Sequence, residues 1–219
     1  MHNVTVAFAV LLVMLLSYFF GCFNGSFMVS HFIIRDDVRK HGSGNAGLTN
    51  FYRTYGAKYA LLVIACDMGK TVAACLLGSF FFRCLGWDGT LGTLLAGLGC
   101  ELGHIFPVFY GFRGGKGILS GGTLVLLLNW RVAAVAWVLF LLLWLTTRYV
   151  SLASITATCS APITVYFVYG HNWLYTGLCL AVAALVVWCH RENIQRLLHG
   201  TEKKFKWHVN PTEGEEPPE

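Results

Sequence analysis

The sequence contains long stretches without a single charged side chain, and this feature constrains the fold more than any other. No Lys, Arg, Asp or Glu occurs from Val4 to Ile34, and residues 89–100, 117–130, 132–147 and 149–190 are equally free of them. Mostly apolar stretches of this length are typical of helices that cross a bilayer. The composition agrees, because 56% of the residues are hydrophobic and 12% are charged, against about 45–50% and about 25% in soluble domains. The sequence therefore predicts an all-α, polytopic membrane protein.

The connections between the apolar stretches differ sharply in charge. Thirteen of the sixteen Lys and Arg residues fall in connections on one side of the predicted membrane, two fall on the other side, and Lys70 lies within a span. Because positively charged connections stay in the cytoplasm, we predict that the N-terminus lies outside and the C-terminus is cytoplasmic. This orientation requires an odd number of spans. The seven predicted spans are residues 5–30, 57–82, 90–110, 116–130, 132–147, 150–169 and 172–189.

The last residues of the chain differ from the rest in composition. After Gly200 the sequence turns to lysine, and then to glutamate and proline. Segments with few apolar residues and many charges are typical of disordered ends. We therefore predict one membrane domain over residues 1–200 and a polar, disordered cytoplasmic tail over residues 201–219.

Polar residues suited to binding or catalysis are concentrated on the Lys- and Arg-rich side of the predicted membrane. The first group of them lies in segment 39–53. Its glycines at positions 42, 44 and 47 allow left-handed backbone conformations, in which successive N–H groups point at an anion. A flexible linker would explain these glycines but not an arginine at each end of the segment. Hydroxyl, amide and guanidinium donors beside such a turn are suited to phosphate. The residues predicted to donate hydrogen bonds to a phosphate are Ser43, Asn45, Thr49, Asn50, Arg39 and Arg53.

A second glycine-rich segment, residues 103–117, ends in a Gly-Gly-Lys-Gly hairpin that presents Lys116. A nucleotide-binding P-loop would need an earlier glycine where Tyr110 stands, and a Ser or Thr directly after the lysine. The pattern therefore argues against nucleotide hydrolysis. A lysine on such a hairpin is suited to meet a phosphate as a point charge. His104, near the end of the preceding span, is either a structural hydrogen-bonding residue or a catalytic one.

Ionisable residues also lie inside the predicted spans. Asp67 and Lys70 are three residues apart, so they share one face of the second span. Charged groups at this depth are costly and are usually paired. We interpret this pair as structural support for the site, the alternative being that it forms the floor of the site. Glu101 lies similarly deep and has no evident partner in the sequence.

Two further polar segments follow predicted spans on the basic side. Residues 148–154 come after the fifth span, and residues 190–196 come after the seventh. If the second segment is helical, His190, Asn193 and Ile194 share one face. A basic helix at the membrane surface, without catalytic function, is the alternative.

The polar segments contain four motifs. They are Gly-Ser-Gly-Asn-x-Gly-x-Thr-Asn (42–50), Gly-His-x-Phe-Pro with Gly-Gly-Lys-Gly (103–117), Arg-Tyr-Val-Ser-Leu-Ala-Ser (148–154) and His-Arg-Glu-Asn-Ile-x-Arg-Leu (190–197). In these motifs and in their order, the sequence resembles the bacterial glycerol-3-phosphate acyltransferase family that uses acyl phosphate. The similarity extends from about residue 20 to 205. It departs from the family's usual pattern at residues 25–28, where Gly-Ser-Phe-Met lacks a proline, and at Thr71, where glycine is common.

The resemblance implies a seven-span enzyme that transfers a fatty acyl group from acyl phosphate to the 1-hydroxyl of glycerol 3-phosphate. The products are lysophosphatidic acid and phosphate, and the reaction is the first acylation of phospholipid synthesis. The resemblance places the enzyme in the bacterial cytoplasmic membrane, among membrane lipid, with its active site on the cytoplasmic face. It implies no cofactor, no metal, no nucleic acid and no requirement for a carrier protein.

Together with the glycine-rich segments, the matching positions predict two sets of site residues. The proton of the attacking hydroxyl passes either to His190 or to the phosphate of the donor, and the sequence leaves both routes open. The predicted catalytic residues are Ser43, Arg53, Lys116, His190 and Asn193, and the predicted substrate-binding residues are Gly42, Gly44, Asn45, Thr49, Asn50, His104, Gly114, Gly115, Arg148 and Ser151.

A transporter or flippase for a phosphorylated small molecule is the main alternative function. It would also combine membrane spans with cationic ligands for phosphate. Such proteins commonly show internal repeats and polar groups near the middle of the bilayer. The sequence contains no evident repeat, and only Asp67, Lys70 and Glu101 lie deep in the predicted spans. The acyltransferase is therefore the preferred interpretation.

Overall fold

The computed structural model of the protein describes residues 2–206, and every regular element in that range is helical. This confirms the all-α prediction. The apolar stretches form the long helices, because a helix satisfies its backbone hydrogen bonds internally and requires none from lipid. The α-helices are α1 (His2–Cys22), α2 (Gly25–Met28), α3 (Leu48–Tyr55), α4 (Ala60–Cys84), α5 (Gly89–Ile105), α6 (Ile118–Leu128), α7 (Trp130–Thr147), α8 (Val150–Val168), α9 (Trp173–Cys189) and α10 (Arg191–Leu198).

The number of candidate spans is smaller than the predicted seven. Five segments are long and apolar enough to cross a bilayer, and α9 with α10 makes a sixth if this pair, bent by 59°, counts as one span. Helix α6 has only 11 residues, so it is about 16 Å long, roughly half the thickness of the hydrocarbon core. The structure therefore supports five or six spans, and the orientation of the termini stays a prediction. The five segments are Val4–Ile34, Ala60–Cys84, Gly89–Tyr110, Trp130–Thr147 and Val150–Val168.

Helix α5 packs between α1 and α4, and small residues allow the backbones to approach closely. A Cβ atom on Gly103 would overlap the carbonyl oxygen of Tyr18 in α1. On the other side, a Cβ atom on Gly78 of α4 would lie 2.6 Å from the carbonyl oxygen of Gly92. Small residues are common at such contacts in membranes, where van der Waals packing replaces the hydrophobic effect. The close packing makes α5 the most buried of the candidate spans.

The second half of the bundle consists of α6, α7, α8 and α9. A single extended residue, Asn129, joins α6 to α7, and its side chain caps α7 by accepting the backbone N–H of Arg131. The hydroxyl of Tyr169 donates to the carbonyl of Leu128 at 2.8 Å. This bond ties the end of α8 to the end of α6, so the two helices end together.

Four polar connections meet at the opposite end of the bundle from Tyr169. They are the segment before α4, the hairpin between α5 and α6, the turn between α7 and α8, and the segment after α9. These are the segments that hold the four motifs, so the motifs share one face of the bundle. Three hydrogen bonds between them run from the backbone N–H of Ala46 to the carbonyl of Gly114 (3.3 Å), from the N–H of Phe205 to the carbonyl of Arg148 (2.8 Å), and from the guanidinium of Arg53 to the carbonyl of Lys203 (3.2 Å).

Residues 201–206 pack against this face, although the sequence places them in a disordered tail. The ring of Phe205 stacks on Tyr52 with 5.4 Å between centroids, and it meets Trp144 edge-on at 5.3 Å. Contacts between aromatic rings stabilise the packing of a segment. Phe205 therefore anchors this segment although lysines surround it in the sequence. The rest of the predicted tail, residues 207–219, lies outside the described residues.

Candidate active site

The glycine hairpin and the segment after α9 are joined by a direct contact between predicted catalytic residues. Lys116 donates a hydrogen bond from its ammonium group to the side-chain oxygen of Asn193, in the first turn of α10. Burial lowers the pKa of Lys116, and the positive charge of Arg196 lowers it further. Two motifs that are 77 residues apart in the chain therefore form one unit in the fold.

Glu202 is the anion at the centre of this unit. Its carboxylate accepts hydrogen bonds from the hydroxyl of Ser151, the side-chain amide of Asn193 and the guanidinium of Arg196, each at 2.7 Å. Burial alone would raise the pKa of Glu202, but these donors more than offset burial and hold the pKa below its usual range. Glu202 is therefore an ionised carboxylate with only 7% of its side chain exposed.

Arg53 reaches the same cluster from α3. Its guanidinium donates to the carbonyl of Lys203 at 3.2 Å. Burial lowers the pKa of Arg53, whereas the negative charge of Glu202 acts in the opposite direction. A guanidinium remains protonated in proteins at neutral pH. Arg53 therefore adds a permanent positive charge next to the Glu202 cluster.

His190 begins the turn that leads from α9 into α10, and its side chain is 4% exposed. Its Nδ1 atom lies 2.8 Å from the carbonyl oxygen of Val186. Because a carbonyl only accepts, Nδ1 carries the proton, and Nε2 is the free acceptor of the neutral ring. Burial lowers the pKa of His190 to about 4, and the charge of Lys116 contributes to that shift. At neutral pH the ring is therefore uncharged and able to accept a proton.

The glycine hairpin rests directly on buried side chains of α5. A Cβ atom on Gly115 would overlap Nε2 of His104 and would lie 3.0 Å from the carbonyl oxygen of Ala46. Gly117 has φ +83°, and a Cβ atom there would overlap a carboxylate oxygen of Glu101. Glycine is therefore required at both positions by space, and at Gly117 also by backbone conformation.

A buried ionic network lies beneath the hairpin. The ammonium of Lys70 contacts Asp67 at 2.8 Å, Nδ1 of His104 at 2.7 Å and the carbonyl oxygen of Gly21 at 3.1 Å. Asp67 also accepts the backbone N–H of Gly25 at 3.0 Å. The predicted pairing of Asp67 with Lys70 is thus confirmed, and His104 is its third member. The network links α1, α4 and α5 directly under the hairpin that presents Lys116, the predicted catalytic lysine.

Asn50 organises the first glycine-rich loop. Its side-chain oxygen accepts the backbone N–H of Ser43 at 2.9 Å, and its amide donates to two carbonyl groups of the loop at 3.1 Å. Gly42 and Gly44 have φ angles of +59° and +70°, as the predicted turn requires. In this arrangement the side chain of Ser43 is exposed and accessible to a ligand.

The other predicted site residues form no side-chain bond to Glu202 or Lys116 among the contacts described. The roles of these residues in substrate binding stay predictions. Asn45 bridges the two glycine-rich segments by donating to the carbonyl of Gly114 at 3.4 Å, Thr49 is half-buried in the first turn of α3, and Arg148 is exposed and contributes its carbonyl to the bond with Phe205. Within residues 2–206, no group of three or more His, Cys, Asp or Glu is placed to hold a metal ion.

Arg39 is engaged within the protein, although the sequence suggested a phosphate ligand. Its guanidinium forms an ion pair with Asp37 at 2.8 Å, donates to the carbonyl of Tyr110 at 2.7 Å and stacks over the ring of Phe27 at 4.4 Å. It therefore ties the first loop to the segment before the hairpin. Asp37, two residues before Arg39, is the sequence signal that could have indicated this role.

Glu202 and Arg196 are the members of the cluster that the sequence analysis missed as site residues. Arg196 appears in the fourth motif, but its side chain was assigned no role. Glu202 stands among lysines in a segment whose composition is typical of solvated tails. The aromatic Phe205, three residues further on, is the one sequence feature that could have indicated an anchored segment.

Comparisons with known proteins extend over nearly the whole chain. Residues 11–200 match the family model described as glycerol-3-phosphate acyltransferase. A relative of that name from Syntrophomonas wolfei subsp. wolfei is 38% identical over 88% of this chain and 95% of its own length. Another, from Alkaliphilus metalliredigens, is 40% identical over 89% of this chain and 95% of its own.

Two solved structures also resemble the fold. One is the crystal structure of PlsY (YgiH), an integral membrane glycerol 3-phosphate acyltransferase, in its glycerol 3-phosphate form. It matches with a TM-score of 0.80 and 36% identity, over 90% of this chain and 96% of that one. The other is the lysophosphatidic acid form of PlsY (YgiH), with a TM-score of 0.78 and 34% identity over the same shares of the two chains.

Proposed function

The chain belongs to the glycerol-3-phosphate acyltransferase family, and on that premise we propose that it uses acyl phosphate as its acyl donor. A fatty acyl group passes from acyl phosphate to the 1-hydroxyl of glycerol 3-phosphate, and lysophosphatidate and inorganic phosphate are formed. The solved relatives described as glycerol 3-phosphate and lysophosphatidic acid forms support this choice of acceptor and product. In this proposal the protein lies in the bacterial cytoplasmic membrane, with the site facing the cytoplasm.

The observation that carries the proposal is the assembly of Lys116, Asn193, Ser151 and Arg53 around one buried cluster. Both proposed substrates carry a phosphate, and Lys116 and Arg53 supply two positive charges that are partly shielded from water. Electrostatic interactions are stronger in such a site than in bulk water. Catalysis is therefore mainly positioning of the two substrates and stabilisation of their negative charge.

The chemical step is a direct transfer between the two substrates. The 1-hydroxyl oxygen attacks the acyl carbonyl carbon, the bond from that carbon to the phosphate oxygen breaks, and phosphate leaves. The hydroxyl proton goes either to Nε2 of His190, which is free to accept it, or to the departing phosphate. The hydroxyl of Ser151 donates its proton to Glu202 at 2.7 Å, so that proton is not directed at a histidine. This arrangement favours direct attack over an acyl-enzyme intermediate.

The test is a reconstituted assay with purified full-length protein in detergent or vesicles. Glycerol 3-phosphate is supplied with palmitoyl phosphate, palmitoyl-CoA or palmitoyl carrier protein, and lysophosphatidate and phosphate are measured. We expect both products in equal amounts with palmitoyl phosphate and little product with either thioester. Efficient turnover with a thioester, or intact palmitoyl phosphate after prolonged incubation, would refute the proposed donor.

A further inference from the structure

Glu202 is an ionised side chain of the cluster whose role in the reaction is unassigned. Glu202 bonds to Ser151 and Asn193, both of which belong to the predicted site, and it is itself more deeply buried than Arg196 beside it. We propose that Glu202 is a positioning residue, which fixes the side chain of Asn193 and, through Asn193, the ammonium group of Lys116. This inference rests on the proposed function, because it concerns the same reaction.

The orientation of the Asn193 amide is the first step of the argument. An ionised carboxylate only accepts hydrogen bonds, so Asn193 must turn its NH₂ group toward Glu202, as the 2.7 Å contact shows. The oxygen of the same amide then points the other way and accepts from Lys116. Asn193 is 8% exposed, so water has little access to replace either bond. Without the carboxylate, the amide is free to turn and present its NH₂ group to the ammonium.

The charge balance of the cluster is the second step. Arg196 donates to Glu202 at 2.7 Å, so its positive charge is largely compensated. If Glu202 were neutral, the uncompensated charge of Arg196 would repel the ammonium of Lys116. Glu202 therefore keeps Lys116 charged and directed toward the substrates.

The segment that holds Glu202 is itself anchored, which is the third step. Arg53 holds the carbonyl of Lys203, and the N–H of Phe205 donates to the carbonyl of Arg148 at 2.8 Å. The ring of Phe205 packs on Tyr52. Before Glu202, the N–H of Thr201 donates to the carbonyl of Arg196 at 2.8 Å. The carboxylate therefore lies on a segment fixed on both sides, which is suited to orient other groups.

The same contacts allow a competing role that the experiment must separate. The groups that donate hydrogen bonds to Glu202 are also suited to bind a phosphate. The Glu202 carboxylate would then compete with a substrate phosphate for the same position. If Glu202 acted as such a competitor, its removal would strengthen substrate binding and raise kcat/KM. If Glu202 positions Asn193 and Lys116, its removal lowers kcat/KM.

The test compares Glu202→Gln with the matched control Glu192→Gln. Glu192 also lies beside Arg196, at 3.9 Å, but its side chain is 70% exposed, and the carboxylate that accepts from Ser151 and Asn193 is that of Glu202. We expect Glu202→Gln to lower kcat/KM by about tenfold or more, as for the loss of a charged hydrogen bond. The control is expected to change kcat/KM less than about twofold. An unchanged or increased kcat/KM in Glu202→Gln would overturn the proposal.

A double-mutant cycle distinguishes positioning from general loss of structure. Because Glu202 acts mainly through Asn193, adding Glu202→Gln to Asn193→Ala is expected to lower kcat/KM by a smaller factor than adding it to the wild type, the remainder being the lost charge compensation of Arg196. Effects that multiply, or a loss of activity that matches the loss of folded protein in thermal unfolding, would overturn the proposal. A wild-type protein that forms no lysophosphatidate from palmitoyl phosphate would instead refute the proposed donor, and the cycle would then be measured with the donor that the protein accepts.

Discussion

The substitution Gly115→Ala tests whether the hairpin is fixed by the side chains beneath it. The added methyl group would lie 2.9 Å from Cε1 of His104 and 3.0 Å from the carbonyl oxygen of Ala46, whereas unstrained contacts between carbon atoms are about 3.5–4.0 Å. The imidazole ring has little freedom to yield, because its Nδ1 atom is held by Lys70 at 2.7 Å in a buried position. The hairpin itself must therefore lift.

The size of the expected effect follows from this overlap. Relief of the contacts requires a shift of about 1 Å next to Lys116, and a misplacement of that size can cost roughly a hundredfold in rate. Overpacking of this kind also lowers the free energy of unfolding by about 1–3 kcal/mol. We therefore expect a fall of about ten- to a hundredfold in kcat/KM, with a protein that still folds.

The assay is lysophosphatidate formation per folded molecule, with thermal unfolding measured in parallel. Gly177→Ala is the matched control, because a Cβ atom there meets nothing within 4 Å. A second check removes the obstructing ring: in a His104→Ala background, adding Gly115→Ala is expected to lower kcat/KM by less than about twofold further. Wild-type kcat/KM in Gly115→Ala would refute the idea that these contacts set the position of the hairpin.

Three further predictions concern charge, protonation and sidedness. Lys116→Ala is expected to lower kcat/KM by about ten- to a hundredfold, because the partly shielded positive charge that would contact a substrate phosphate is lost, whereas Lys58→Ala, at an exposed lysine, is expected to have little effect. Burial lowers the pKa of His190 to about 4, so if His190 accepts the proton, the pH–rate profile should fall only as the pH approaches 4. An inflection near 6.5 that disappears in His190→Gln would contradict this protonation state. In intact cells with a cysteine-reduced background, a cysteine at Arg113 should be protected from an impermeant thiol reagent and one at Asp88 should be labelled, and the reverse pattern would refute the predicted orientation.

The positions of most long helices could be predicted from the sequence, because apolar stretches with few charges indicate them. The predicted spans correspond to α1, α4, α5, α7, α8 and α9, and most of their ends agree with the helix ends to within a few residues. Helix α4 corresponds to a predicted span although Asp67 and Lys70 lie inside it. The predicted number of spans is not confirmed, because residues 116–130 were counted as a span although α6 has only 11 residues. The break itself was predicted close to the extended Asn129 that joins α6 to α7.

Individual site residues could be predicted where a motif contains a residue type with a clear chemical role. Lys116 and Asn193 were both predicted from their motifs, and the structure joins them. Contacts between distant segments were not predictable, because a single sequence contains no information on which buried side chains meet. Glu202 is the clearest example: its carboxylate is identified as a site residue only once the tail is seen against α8 and α10.

The buried network under the hairpin allows the contributions of stability and positioning to be separated. Removing one partner of a buried ion pair typically costs about 3–5 kcal/mol, whereas replacing both by apolar residues is often neutral or stabilising. Lys70→Met is therefore expected to destabilise the protein strongly, because it leaves the Asp67 carboxylate in the membrane without its 2.8 Å partner. Adding Asp67→Leu should restore much of the thermal stability.

Activity should not recover in the same way. In the double variant the imidazole of His104 loses the ammonium that holds its Nδ1 atom, so the hairpin above it is no longer fixed and kcat/KM stays low although the protein is stable. Glycine-rich segments lose more conformational entropy on ordering than others, and a hairpin of this composition therefore depends on support from below. If the stable double variant were as active as the wild type, the network would serve folding alone, and the link from the membrane interior to Lys116 would have to be abandoned.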